Sequence, residues 1–135
     1  MKPIRLELKG FTAFREETVV EFEGRSLFAI TGPTGAGKSS LLDAMTWALY
    51  GAVPRVGTST RQLISHGANS MQVRFDFSTR DGVYRVVRKA PANTGTRLEK
   101  QQADGSWRHL ADRSRDVTRV VTELLGLDFT TFTRT

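Results

Sequence analysis

Ile4, Leu6 and Leu8 alternate with Arg5, Glu7 and Lys9, the period of two that marks a strand with one buried face. Gly10 interrupts the pattern, and Val19-Val20-Glu21-Phe22 resumes extended character before a turn at Gly24. Leu27-Phe28-Ala29-Ile30 is different, a short continuous apolar run that predicts a strand buried on both faces. From Leu41 to Tyr50 the residues are good helix formers with apolar positions almost all round, which predicts a buried helix; Gly51 supplies its stop. Trp47 and Tyr50 then read as core residues of that helix rather than as platforms for stacking a base. Residues 53–69, rich in Gly, Ser, Thr and Arg, predict a long irregular connection.

Met71, Val73, Phe75 and Phe77 alternate with Gln72, Arg74 and Asp76, the cleanest strand in the chain. Asp81-Gly82 predicts a hairpin turn into a returning strand over residues 83–89. A loop containing Pro91 and Gly95 leads to a second hairpin, residues 97–102 and 107–110, joined across Asp104-Gly105. The last helix starts near Asp112 or Ser114, either able to cap it. Val117, Val120, Val121, Leu124 and Leu125 fall at i, i+3, i+4, i+7 and i+8, and Gly126 ends the run. The predicted class is α/β (α+β): one strand–helix unit, plus an antiparallel sheet built from the early strands and two hairpins.

Between the continuous apolar run and the buried helix stands Thr31-Gly32-Pro33-Thr34-Gly35-Ala36-Gly37-Lys38-Ser39-Ser40. Gly32, Gly37, Lys38 and Ser39 match G-x-x-x-x-G-K-[ST], a pattern that chance places in roughly half a percent of chains this long. A strand before it and a helix after it are the context the motif requires. Gly35 and Gly37 let the backbone curl so that successive N–H groups point at phosphate oxygens. The amino end of a helix over residues 39–50 adds its partial positive charge at the same place. Lys38 reaches the β- and γ-phosphates, the Ser39 hydroxyl ligates Mg²⁺, and Ser40 reaches the α-phosphate. Leu124-Leu125-Gly126-Leu127-Asp128 imitates the second, acidic motif of such enzymes. Its leucines complete a helical stripe and Phe129, not an acid, follows, so Asp128 is not assigned a catalytic role.

Charge and composition alter this picture only slightly. Of 135 residues, 20 are Lys or Arg and 14 are Asp or Glu, a net charge of +6, and 15 of the 20 cations are Arg. Attraction to a polyanion such as DNA is one reading, with Arg55 and Arg61 as candidate contacts; a solvated surface is the other. There are no cysteines, hence no disulfide framework and no thiolate metal site. No apolar run reaches the roughly 18 residues of a membrane span, and a cytoplasmic location is expected.

With these residues in hand, the sequence resembles the N-terminal half of the SbcC family, ATPase subunits of bacterial DNA-repair nucleases related to the SMC proteins. The matching stretches are Leu6-Glu7-Leu8-Lys9-Gly10-Phe11, the phosphate loop with Leu41-Leu42-Asp43-Ala44 behind it, Ala48-Leu49-Tyr50-Gly51, and Leu125-Gly126-Leu127-Asp128-Phe129-Thr130-Thr131-Phe132-Thr133-Arg134. The resemblance implies lobe I of an ABC-type ATPase head, with residues 1–135 ending before the Gln of the Q-loop, the coiled coil and the C-terminal half. It implies ATP and Mg²⁺ as ligands, held by Gly32, Pro33, Thr34, Gly35, Ala36, Gly37, Lys38, Ser39 and Ser40. It further implies nucleotide contacts at Thr12 and at Ile64, Ser65 and His66; His66 also reads as a loop histidine without a task. The implied partners are the protein's own C-terminal head half, a second head, an SbcD-type nuclease and double-stranded DNA at the nucleoid, with no membrane. Two heads would sandwich ATP·Mg²⁺ and gate the nuclease. The competing classes are a GTPase or nucleotide kinase, whose D-x-x-G, N-K-x-D or helical lid is missing, and a nucleotide- or DNA-binding module without turnover.

Overall fold

The computed structural model describes residues 1–22, 35–54, 56–57, 60–92 and 95–133, without the side chains of 35–39, 60, 132 and 133. Six strands form one sheet: β1 (Lys2–Lys9), β2 (Thr18–Glu21), β3 (Met71–Thr79), β4 (Gly82–Ala90), β5 (Arg97–Gln101) and β6 (Trp107–Ala111). Their order is β2-β1-β3-β4-β5-β6, every neighbouring pair antiparallel. Among the described residues three α-helices accompany them: α1 (Gly35–Tyr50), α2 (Ser114–Leu125) and the short α3 (Phe129–Thr133). The expected antiparallel sheet is therefore present, and the early strands and both hairpins belong to one continuous surface. The run at residues 27–30 lies outside the described residues.

The register explains why the sheet buries one face. Val20, Leu6, Phe75, Val86, Leu98 and Ala111 stand opposite one another across all six strands. All but Val20, which packs against the cluster from its edge, are buried core residues. α1 covers this face over β3 and β4, while α2 lies over β5 and β6 and against α1. Burial of α1 is as the all-round apolar pattern predicts: every residue from Ala44 through Tyr50 is buried, including Trp47, whose ring lies 5.9 Å from that of Phe11.

The opposite face carries the alternate positions. Glu21, Arg5, Asp76, Arg85, Glu99 and His109 form a second row across the same strands. Arg85 grips Asp76 with two hydrogen bonds, of 2.9 and 3.1 Å. Arg5 meets Glu21 and Glu7, Arg74 meets Glu7 and Asp76, and Arg97 meets Glu99. Four arginines thus balance four carboxylates, so the net positive charge of the chain is not drawn from them. Arg85 also lies over the Trp107 ring, 3.9 Å from its centroid.

Both Asp-Gly turns close hairpins as expected, with Thr79 opposite Gly82 and Gln101 opposite Trp107. Gly51 and Gly126 end their helices in the left-handed region, φ +72° and +69°. Two boundaries differ from the sequence reading. α1 begins at Gly35 rather than Ser39, because the glycines that suggested a loop take up helical backbone where its first turn needs them. The N-cap of α2 is Arg113 and makes no side-chain cap bond. Neither Asp112 nor Ser114 caps it, since the Ser114 hydroxyl is taken up by Arg88 at 2.7 Å and Asp112 lies 3.7 Å from His109.

The carboxyl end of α1 is fastened to the chain after α2. Tyr50 Oη donates to the Leu127 carbonyl at 2.7 Å, and the Tyr50 ring meets Phe129 edge-on at 6.0 Å. Burial, then the charge of Asp128, pushes the Tyr50 phenol up to about 12. The phenol stays neutral in the fold while an unfolded tyrosine ionises. Its contribution to stability is complete below pH 10.0 and is lost as pH rises through about 12. Tyr50→Phe is expected to cost about 1 kcal/mol at neutral pH. It should also flatten the decline of the denaturant midpoint over that alkaline window.

Candidate nucleotide-binding site

Gly35, Ala36, Gly37, Lys38, Ser39 and Ser40 form the first turns of α1, so the second half of the phosphate-loop motif is the amino end of a helix. Gly32, Pro33 and Thr34 lie outside the described residues, and Ser40 is half-buried. The first four amides of any α-helix lack partners within it, and the aligned peptide dipoles place a partial positive charge there. Helices commonly meet that charge with an acidic residue in their first turn; α1 has none, and has no basic residue in its last turn. Amides at the start of a helix, with Lys38, Ser39 and Ser40 in the sequence there, are a donor set that suits phosphate oxygens and a Mg²⁺-ligating hydroxyl.

A second group of anticipated residues is assembled by the backbone. Phe11 bridges to Ile64, the Thr12 N–H donates to the Leu63 carbonyl at 2.7 Å, and the Ser65 N–H donates to the Gly10 carbonyl at 2.7 Å. Ser65 Oγ donates to the Thr12 carbonyl, also at 2.7 Å. Thr12, Ile64 and Ser65 are thus neighbours although more than fifty residues separate them, with Ser65 buried and His66 exposed beside it. The described part of the connection over residues 53–69 holds a 3-10 turn, Thr60–Leu63, and this ladder to the segment after β1.

Thr12 is unusual in two respects. Among the described residues its φ of +46° is the sole positive value at a non-glycine residue, and its buried Oγ1 finds no hydrogen-bond partner there. A strained threonine costs of order 1–3 kcal/mol and persists only where the surroundings hold it, as at ligand sites. A buried hydroxyl without a partner among the described residues likewise calls for an explanation, of which a bound ligand is one. Arg61 is exposed, and Arg55 lies outside the described residues. Asp128 accepts the Thr131 N–H at 2.8 Å and so caps α3.

Sequence reasoning passed over Arg88. On the inward positions of β4, Tyr84, Val86, Arg88 and Ala90, it is the one charged side chain, and it is only 2% exposed. A lone cation in an apolar alternation was the available signal.

A phosphate-loop sequence leading into a buried helix beside an antiparallel sheet is the setting of a nucleotide-binding domain, and the chain belongs to the AAA domain family, which it matches over residues 5–132. It is 46% identical over 139 residues to the SbcC component of the nuclease SbcCD of Deinococcus radiodurans, an alignment covering 99% of this chain and 15% of that protein. It is 39% identical to the probable DNA double-strand break repair Rad50 ATPase of Aquifex aeolicus, covering 99% of this chain and 14% of that one. The chain therefore spans about 15% of the length of these relatives. The SMC head domain from Thermotoga maritima superimposes with a TM-score of 0.46 at 21% identity, over 89% of this chain and 42% of that one. The resemblance to the SbcC family read from individual residues agrees with these relatives. Among the described residues, no helix is long and apolar enough to cross a membrane.

Proposed function

We propose that this chain is lobe I of an SbcC-like ATPase head: it grips the triphosphate of ATP through Gly32, Pro33, Thr34, Gly35, Ala36, Gly37, Lys38, Ser39 and Ser40. The observation that carries the reading is a phosphate-loop sequence running without a break into a buried helix that has no acidic residue in its first turn. Backbone amides and Lys38 hold phosphate oxygens, and Ser39 ligates Mg²⁺, which when bound neutralises charge on the β- and γ-phosphates. Thr12, with its unpartnered hydroxyl, and Ser65 beside it hold the sugar or base end.

In this reading the groups that activate water come from the protein's own C-terminal head half and from a second head. ATP closes the pair because it fits only the closed state, and hydrolysis reopens it. The names of the relatives support a place beside an SbcD-type nuclease on double-stranded DNA; a cytoplasmic place at the nucleoid is part of the same reading. The test is ATP·Mg²⁺ binding and turnover by this chain with and without a C-terminal head half. Binding alone, and turnover only on mixing, is the expected result. Turnover by the chain by itself, abolished by Lys38→Ala, would sink the divided-site reading, and a preference for GTP would remove the SbcC-like one.

A further inference from the structure

Arg88 is a buried cation that the nucleotide reading does not use. Its Nε donates to the Ala48 carbonyl at 3.0 Å and one Nη to the Leu49 carbonyl at 3.4 Å, both in the last turn of α1. The remaining donors reach Ser114 Oγ at 2.7 Å and Thr118 Oγ1 at 3.2 Å, both on α2. Thr118 Oγ1 in turn donates to the Tyr50 carbonyl at 3.2 Å. No carboxylate among the described residues pairs with Arg88, and burial lowers its pKa to about 10, so it remains charged at neutral pH. What compensates the charge is the negative end of the α1 dipole, which has no basic residue of its own in the last turn.

Isolated packing would not require this arrangement. A methionine fills similar volume without the desolvation cost of a buried ion. The guanidinium instead supplies a fork that fixes two helices at a defined distance and rotation. Room for it is kept by Gly51, where an added Cβ would stand 2.9 Å from an Arg88 Nη. From the same end of α1, Tyr50 reaches Leu127 and Phe129, the start of α3. The two ends of α1 are about 24 Å apart.

We propose that Arg88 is a positioning residue that clamps the carboxyl end of α1 to α2 and so holds Tyr50 where it joins Leu127 and α3, with the result that nucleotide gripped at the amino end of α1 is registered in α3. This rests on the nucleotide reading above. A helix clamped at its carboxyl end cannot tilt or shift at its amino end without carrying the clamp along. Ligand binding at the phosphate loop thereby acquires an output on the chain that follows α2.

Amide hydrogen exchange of the full chain, with and without saturating ATP·Mg²⁺, tests it. In the natural protein, nucleotide should slow exchange both at the amino end of α1 and at residues 127–133, the latter by about tenfold. In Arg88→Met the first protection should persist and the second fall several-fold, since Tyr50 alone then joins α1 to Leu127, with Arg88→Lys restoring part of it. Thr118→Val, which removes one acceptor and leaves the cation in place, should weaken the second effect if Arg88→Met fails to fold. A purely structural role would instead speed exchange throughout α1 with and without nucleotide, leaving the difference at residues 127–133 unchanged; that result overturns the inference. So does protection confined to α1 in the natural protein. Absence of any nucleotide effect at α1 would overturn the nucleotide reading itself, and the inference with it.

Discussion

Lys38→Ala is expected to weaken ATP·Mg²⁺ binding by about 10- to 100-fold, the equivalent of about 1.5–3 kcal/mol for a lost hydrogen bond to a charged group. The residue sits in the first turns of α1, whose backbone amides and two serine hydroxyls the substitution leaves intact. Binding is therefore reduced rather than erased. In the assembled head the loss in turnover should be greater, because Lys38 faces charge that shifts among the phosphate oxygens as the γ-phosphoryl group departs. Titration calorimetry reads the affinity, and thermal unfolding without nucleotide should be unchanged. Equal affinity of the variant and the natural chain would remove the phosphate loop from the nucleotide site.

The largest loss of stability is expected from Gly10→Ala. A Cβ at this position would stand 2.2 Å from the Ser70 carbonyl oxygen, and φ is +69°. The left-handed backbone alone costs a non-glycine residue roughly 1 kcal/mol. The contact is between two backbones, so no side chain can swing aside, and the ladder that holds Ser65 against Gly10 and Thr12 must open. A total above about 3 kcal/mol follows, in the range reserved for strain at special backbone positions. Gly105→Ala supplies the control: φ is +89°, yet nothing lies within 4 Å of its Cβ. It should cost only the backbone term, and equal denaturant midpoints for the two variants would contradict the steric account. ATP affinity should also fall in Gly10→Ala, because Thr12 and Ser65 lose their alignment.

Hairpins and helix ends were legible in the sequence because their causes are local. Asp81-Gly82, Gly51 and Gly126 each act within a few residues, and the Val117–Val121 spacing reports one face of one helix. Strand order was not legible: alternation in β1 states which face is buried, not that β2 and β3 flank it. The N-cap of α2 was hidden for a related reason. Ser114 has the chemistry of a cap, but its hydroxyl is claimed by Arg88, 26 positions earlier in the chain. The start of α1 reads late in the sequence because glycine propensity argues against helix, whereas the packing of the following turns decides it. Thr12 and Ser65 were reached only through resemblance, since the backbone ladder joining them is non-local.

The charged row on the outer face of the sheet has a bearing on how the strands find one another during folding. Alternation of apolar and polar residues rejects a slip of one position, which would turn a strand inside out, but tolerates a slip of two. Between β1 and β3, Arg5 faces Asp76 and Glu7 faces Arg74. A slip of two in one direction sets Arg5 against Arg74; in the other it sets Glu7 against Asp76. Like charges directly opposite are destabilising. The salt bridges therefore do more than fasten the finished sheet: they penalise a slip of two in either direction between β1 and β3.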